Sequence, residues 1–88
     1  MGNVAASIQA KLTEALAPTA LVVEDDSARH AGHSGARPGG ETHFNVTVES
    51  AAFAGLTPVA RQRLVYRLLA EELAGPVHAL SLTLRAPA

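Results

Sequence analysis

The spacing of apolar residues predicts a helix at the start of the chain, from Asn3 to Ala17. Its apolar side chains recur at every fourth position and would form a single stripe: Val4, Ile8, Leu12 and Leu16. Asn3 or Ser7 is expected to cap this helix, and Pro18 to end it. A helix of this kind is suited to covering one face of a sheet.

Two stretches in the first half of the chain predict strands. Residues 20–24 form a short β-branched run that turn-forming residues close. From Glu41 to Glu49 the apolar and polar residues alternate. The expected inward side chains are those of Phe44, Val46 and Val48, and the expected outward ones those of His43, Asn45, Thr47 and Glu49. Residues 27–40 hold four glycines, one proline and two histidines, which predicts a long loop that is functional or mobile.

A second helix is predicted to begin at Thr57, with Pro58 at its first position. Apolar residues then recur at helical spacing: Val59, Val65, Tyr66, Leu69 and Leu73. Gly75 is expected to stop the helix in a left-handed conformation, and Pro76 prevents its continuation. The connection before it, Ser50 to Leu56, is expected to plug the core with Phe53 and to turn at Gly55.

The stretch from Val77 to Leu84 alternates like a strand and places Leu80, Leu82 and Leu84 on one face. The same alternation predicts that His78 points to the leucine side. This last strand follows a helical crossover and should therefore lie parallel to the strand that ends at Glu49.

The predicted order is helix, strand, strand, short turn, helix, strand, in one domain over residues 1–88. It corresponds to the α/β (α+β) class, with a three-stranded mixed sheet covered by both helices on one face. The residues expected to share the core are Leu12, Phe44, Val46, Val65, Leu69, Leu80 and Leu82.

Composition narrows the classes of function. The chain is 48% hydrophobic, enough for a core, and its net charge of −1 gives no long-range attraction to phosphates. It has no cysteine, and so no thiolate ligand of its own. No targeting or membrane-spanning pattern is visible, which predicts a soluble cytoplasmic protein. Because no nucleophile motif or phosphate-binding loop is present, the chain is not expected to be an enzyme.

The four histidines are the candidate metal ligands of the chain. His30 and His33 lie in the glycine-rich loop, while His43 and His78 lie at the starts of two predicted parallel strands. Three segments would thus bring imidazoles to one corner, and neutral imidazole is a common ligand of borderline metals. His43 is instead expected to make a structural hydrogen bond at the strand start. Any thiolate ligands would have to come from a partner.

Several runs along the chain resemble the BolA family: His43-Phe44-Asn45-Val46, Phe53-Ala54-Gly55, Arg61-Gln62-Arg63-Leu64-Val65-Tyr66, Leu69-Ala70-Glu71-Glu72-Leu73 and Val77-His78-Ala79-Leu80-Ser81-Leu82. The family often has His where Gln62 stands. The resemblance implies a fold similar to a type II KH domain. It also implies that His78, with His30 or alternatively His33, binds a [2Fe–2S] cluster shared with a monothiol glutaredoxin, whose cysteine and bound glutathione complete the ligation. The function so implied is that of an adaptor in iron–sulfur trafficking or iron and redox sensing.

The same resemblance implies an alternative, a DNA-binding regulator of stress response and morphology, with Arg61, Arg63 and Arg67 as candidate contacts. Binding of single strands through a Gly-x-x-Gly loop is not expected, because the corresponding stretch reads Gly55-Leu56-Thr57-Pro58. The isolated chain is expected to be a monomer or a weak homodimer.

Overall fold

The computed structural model describes residues 2–26 and 42–88. The helices in these ranges are α1 (Asn3–Leu16), α2 (Pro58–Leu68) and α3 (Ala70–Ala74), and the strands are β1 (Ala20–Asp25), β2 (His43–Glu49) and β3 (Ala79–Arg85). A 3-10 turn, Ala51–Phe53, follows β2. The predicted long loop, with His30 and His33, lies outside the described residues. None of the described helices has the length and apolar character needed to cross a bilayer.

The three strands form one sheet in the order β1-β2-β3. β1 pairs antiparallel with β2, with Val23 opposite Val46, and β2 pairs parallel with β3, with Val46 opposite Leu82. The helices pack on the face that carries the buried side chains of β2. The predicted mixed sheet with helices on one face is therefore confirmed.

The start of α1 differs from the prediction. Gly2 occupies the N-cap position without a side-chain hydrogen bond, and neither Asn3 nor Ser7 caps the helix. At the other end Ala17 adopts a left-handed conformation (φ 42°), from which its N–H donates to the carbonyl of Thr13 at 3.1 Å. This bond satisfies a carbonyl of the last turn before Pro18 redirects the chain.

The entry into α2 is as predicted. Gly55 has a positive φ of 78°, a backbone conformation that favours glycine, and Phe53 just before it is fully buried. The hydroxyl of Thr57 accepts the N–H of Ala60 at 3.1 Å, so that Thr57 caps the helix and Pro58 occupies its first turn.

The second helix is interrupted at Leu69, where φ is −104° and ψ is 22°. The prediction of a single helix up to Gly75 is therefore wrong. The hydrogen bonds continue through the break, since Leu69 N–H donates to Val65 and Leu73 N–H donates to Leu69, each at 3.0 Å. Gly75 is not left-handed either, because its φ is −110°.

The core lies between α1, β2 and the helical segment formed by α2 and α3. Its buried apolar residues are Ala5, Ile8, Leu12, Leu16, Phe44, Val46, Val48, Phe53, Val65, Leu69 and Val77. Leu80 and Leu82 were expected in this set, but they are only half-buried. β3 lies at the edge of the sheet, where the helices cover its leucine row only in part.

Candidate functional site

The start of β2 is hydrogen-bonded to both of its neighbouring strands. The carbonyl of Thr42 accepts the N–H of His78 at 2.7 Å and the N–H of Ala79 at 3.2 Å. On the other side Asp26 N–H donates to the carbonyl of His43 at 2.7 Å. The end of β1 and the start of β3 are thus fixed against the start of β2, as the parallel pairing of β2 and β3 predicts.

Two imidazoles lie side by side at this corner. The ring centroids of His43 and His78 are 6.3 Å apart, and the ring planes differ by 23°. His43 Nδ1 is hydrogen-bonded to the hydroxyl of Thr42 at 2.8 Å, and Thr42 is fully buried. The expected structural bond of His43 is therefore confirmed, whereas His78 is exposed.

The predicted orientation of His78 is wrong. His43 belongs to the face of the sheet opposite Phe44, Val46 and Val48, and His78 stacks on His43 instead of lying with the leucines. His78 precedes β3, and its N–H shares one acceptor with that of Ala79. Since the chain is not yet in strand geometry there, the alternation of β3 does not extend back to His78.

The described residues do not form a metal site by themselves. Residues 2–26 and 42–88 contain no cluster of three or more His, Asp or Glu side chains able to hold a metal ion. The imidazoles of His43 and His78 are suitable donors for a borderline metal or an iron–sulfur cluster. Further ligands would have to come from residues 27–41 or from another protein, so the assignment of His30 or His33 stays a prediction.

A shallow cavity of about 230 Å³ adjoins this corner. Its lining consists of Asp26, His43, Phe44, Asn45, Ala79, Leu80 and Ser81. It lies where β1 ends and where β2 and β3 begin, and thus beside the imidazole of His43. A surface of this shape, next to the exposed ring of His78, leaves room for a side chain or small group of a partner.

A second polar cluster, which the sequence did not predict, joins α1 to α3. Glu72 is 8% exposed and accepts the hydroxyl of Ser7 at 2.6 Å. The ammonium of Lys11 contacts both oxygens of Glu72, at 2.8 and 3.0 Å, and one oxygen of Glu71 at 3.1 Å. We call Ser7, Lys11 and Glu72 the α1–α3 clamp. Because Glu72 also accepts the N–H of Val77 on its carbonyl, the clamp holds the chain segment that leads to His78.

The clamp shifts the ionisation of its members. Burial raises the pKa of Glu72, but the hydrogen bonds from Lys11 and Ser7 outweigh burial and hold the pKa below its ordinary value. The hydrogen bonds to Glu72 and Glu71 raise the pKa of Lys11. Both groups are therefore charged at neutral pH.

The three candidate arginines of α2 differ in their surroundings. Arg61 is half-buried, and its guanidinium donates to the carbonyls of Leu56 at 3.1 Å and Leu84 at 3.4 Å. Arg63 and Arg67 are exposed. Arg61 therefore links α2 to β3, while Arg63 and Arg67 remain accessible to a partner.

The order of elements and the mixed sheet define a class of small α+β domains, and comparisons with known proteins identify the family. Residues 12–88 match the BolA family, described as BolA-like protein. The chain is 51% identical to human BolA-like protein 1 over 88 residues, which cover 100% of this chain and 61% of that protein. This chain therefore belongs to the BolA family.

Two further relatives extend the comparison. The DNA-binding transcriptional regulator BolA of Vibrio cholerae is 47% identical over 75 residues, covering 85% of this chain and 67% of that protein. The solved structure of BolA1 from Arabidopsis thaliana superposes with a TM-score of 0.86 at 44% identity, covering 99% of this chain and 95% of that one. The predicted family and fold are thus confirmed. These names describe a BolA-like protein and a regulator rather than an enzyme.

Proposed function

We propose that this chain is a cytoplasmic adaptor that binds a monothiol glutaredoxin and shares a [2Fe–2S] cluster with it. The observation that supports this proposal is the position of His78. Its ring is exposed beside a second imidazole, while its backbone is fixed to Thr42 by a 2.7 Å hydrogen bond. A ligand offered to a partner needs this combination of an accessible ring and a rigid attachment.

The proposed ligand set is the one that the resemblance to the BolA family implies, and it agrees with the composition of the chain. With no cysteine, the chain can offer only imidazole or carboxylate ligands, and we assign the cluster to His78 together with His30 or His33. The glutaredoxin cysteine and glutathione would supply the sulfur ligands. Imidazole ligation raises the reduction potential of a [2Fe–2S] centre and makes binding sensitive to pH, properties that suit sensing or transfer.

His43 has a different role in this proposal. Its Nδ1 is engaged with the buried hydroxyl of Thr42. His43 therefore stabilises the start of β2, next to His78, and we do not assign it to the cluster. This distinction provides a matched control, since the two rings are neighbours and only one is a proposed ligand.

The test is reconstitution of the cluster with a monothiol glutaredoxin and glutathione, followed by visible absorption and circular dichroism. His78→Ala is expected to alter the spectrum and shorten the lifetime of the cluster, and more so than His30→Ala, which His33 can partly replace. The His30/His33 double substitution is expected to exceed either single one. His43→Ala is expected to leave the spectrum of the folded complex unchanged. An unchanged spectrum and lifetime with His78→Ala would refute the ligand assignment.

A second candidate function is DNA binding. It is favoured by the exposed Arg63 and Arg67 on α2 and by the name of the Vibrio cholerae relative. The net charge of −1 argues for few phosphate contacts and a shallow dependence of affinity on salt. Tight, sequence-dependent binding to duplex DNA that Arg63→Ala abolishes in the absence of cluster would place this function first.

A further inference from the structure

β3 is an edge strand whose outer side has no neighbouring strand among the described residues. Ala79 N–H donates to the carbonyl of Thr42, and the carbonyl of Arg85 accepts the N–H of Ser50. The backbone groups of Ala79 and Arg85 therefore point toward β2. Since backbone groups alternate along a strand, those of Leu80, Leu82 and Leu84 point to the outer side. The bond from Arg61 to the carbonyl of Leu84 agrees with this direction.

The apolar surface of the sheet also extends to this edge. Phe44, Val46 and Val48 on β2 are at most 1% exposed, whereas the leucines opposite them on β3 are only half-buried. Beside them lies a groove of about 240 Å³, lined by Pro58, Val59, Arg61, Gln62, Leu82 and Leu84. Val59 in this groove is 54% exposed. Within residues 2–26 and 42–88, the helices thus leave an apolar row beside a backbone edge that pairs with no strand.

We propose that the outer edge of β3 pairs antiparallel with β3 of a second copy of this chain, about a twofold axis at Leu82. In this register Leu82 faces Leu82, and Leu80 of one copy faces Leu84 of the other. Their outward N–H and C=O groups are those that a hydrogen-bonded antiparallel pair requires. The result is a continuous six-stranded sheet in which the two half-covered leucine rows shield one another.

The charges along β3 are compatible with pairing to β3 of a second copy. Arg85 is the only charged residue of β3, and it is already paired with Glu49 at 2.8 Å. In the proposed register Arg85 faces Ala79 of the other copy, so the two arginines lie about 20 Å apart at opposite ends of the paired strands. Ser81 of one copy faces Thr83 of the other on the open face of the sheet. Both side chains are small and polar, and such a cross-strand pair is compatible with strand pairing.

The other edge of the sheet is less suited to this pairing. β1 ends in Glu24 and Asp25, followed directly by Asp26, and carboxylates on an edge strand oppose pairing with another strand. On β3 the hydrogen bond to this edge from the described part of the chain is the 3.4 Å bond from Arg61 to the carbonyl of Leu84. A carbonyl oxygen has a second lone pair, so this bond is compatible with a further donor.

The test is the self-association of the full chain, measured by sedimentation equilibrium over a range of concentrations. The wild-type chain is expected to dimerise reversibly. Leu82→Lys and Leu82→Glu each place like charges at the twofold axis and should weaken dimerisation by roughly tenfold or more. An equal mixture of the two variants should restore association, because Lys then faces Glu. Val22→Lys, at an exposed position on β1, is the matched control and should leave dimerisation unchanged.

A second measurement, disulfide cross-linking, does not require the fold to accept a charged side chain at position 82. Because the chain has no cysteine, Leu82→Cys introduces a single thiol. Facing residues in a hydrogen-bonded antiparallel pair have Cα atoms about 5.5 Å apart, which is within reach of a disulfide. Under mild oxidation Leu82→Cys should form covalent dimers faster than Val22→Cys. Circular dichroism confirms that each variant is folded.

Three results would overturn the proposal. One is a wild-type chain that remains monomeric at millimolar concentration, even if an extended peptide from another protein can occupy the edge. Another is a dimer whose affinity Leu82→Lys does not change in a folded variant. The third is equal cross-linking of the two cysteine variants, which would indicate random collision and not a defined pair.

Discussion

The carbonyl oxygen of Thr42 accepts the backbone N–H of His78 at 2.7 Å. The position of His78 in the fold is therefore determined by its backbone, and its ring contributes no hydrogen bond to this attachment. In contrast, the ring of His43 is bonded to the side chain of the same threonine. Two adjacent imidazoles thus depend on Thr42 in different ways, and substitution should separate them.

For stability we expect His78→Ala to change the free energy of unfolding by less than about 0.5 kcal/mol, because the exposed ring can be removed without loss of the backbone bonds. His43→Ala should cost about 1–2 kcal/mol, since it leaves the buried hydroxyl of Thr42 without this partner. Urea denaturation of the two variants measures the difference. Equal losses would mean that the Thr42–His43 bond does not stabilise the fold.

Leu69→Ala is expected to destabilise the chain by about 2–4 kcal/mol, because it creates a cavity where α2 passes into α3. Leu69 is 1% exposed and belongs to the core. Tyr66→Ala, in the same segment at a position 39% exposed, serves as the control and should cost less. Thermal or urea unfolding followed by circular dichroism gives both values. A similar loss at both positions would contradict the packing described for Leu69.

Glu72→Gln is expected to lower the free energy of unfolding at pH 7 by about 1–3 kcal/mol, because it removes the charge that Lys11 and Ser7 stabilise. The pKa of Glu72 is lowered in the folded chain, from an ordinary value of 4.5. Its stabilisation is therefore fully present above the unfolded-state pKa and is lost as pH falls through the folded-state pKa. Urea denaturation from pH 7 to 3 should show the wild-type and variant curves converging in acid.

Glu71→Gln provides the control for this prediction. Glu71 contacts the same ammonium at 3.1 Å, but its side chain is 88% exposed. A solvated ion pair contributes little, so this variant should follow the wild-type curve within about 0.5 kcal/mol. If the two substitutions had the same effect, the stabilisation would come from the charge of Lys11 and not from the buried geometry of Glu72.

Substitutions of the arginines of α2 are expected to have different effects, one on the stability of the fold and another on binding to DNA. Arg61→Ala should destabilise the chain by about 1 kcal/mol, because it removes the hydrogen bonds to Leu56 and Leu84. Arg63→Ala should leave stability unchanged within about 0.5 kcal/mol. With random-sequence duplex DNA the wild-type chain should bind weakly and with a shallow salt slope. A steep slope that Arg63→Ala reduces would reveal phosphate contacts on this helix.

Much of the fold could be predicted because its signals are local. The alternation from His43 to Glu49 placed Phe44, Val46 and Val48 inward, and all three are buried. The cap at Thr57 and the turn at Gly55 depend on residue types that few other conformations favour. The mixed sheet then followed from the lengths of the connections between strands.

Other features depend on contacts that the local sequence does not specify. The break at Leu69 contains neither glycine nor proline, so the helical spacing continues through it without a signal. The half-burial of Leu80 and Leu82 follows from their place on an edge strand, beyond part of the helical cover. The stacking of His78 on His43 required the backbone geometry just before β3.

The α1–α3 clamp also has a consequence for the order in which the chain folds. Ser7 and Glu72 are separated by 65 residues, so their contact closes a long loop and carries an entropic cost that local contacts do not. The clamp should therefore form late, after the rate-limiting step. Its loss should accelerate unfolding and leave the folding rate nearly unchanged, so that the clamp lengthens the lifetime of the native state.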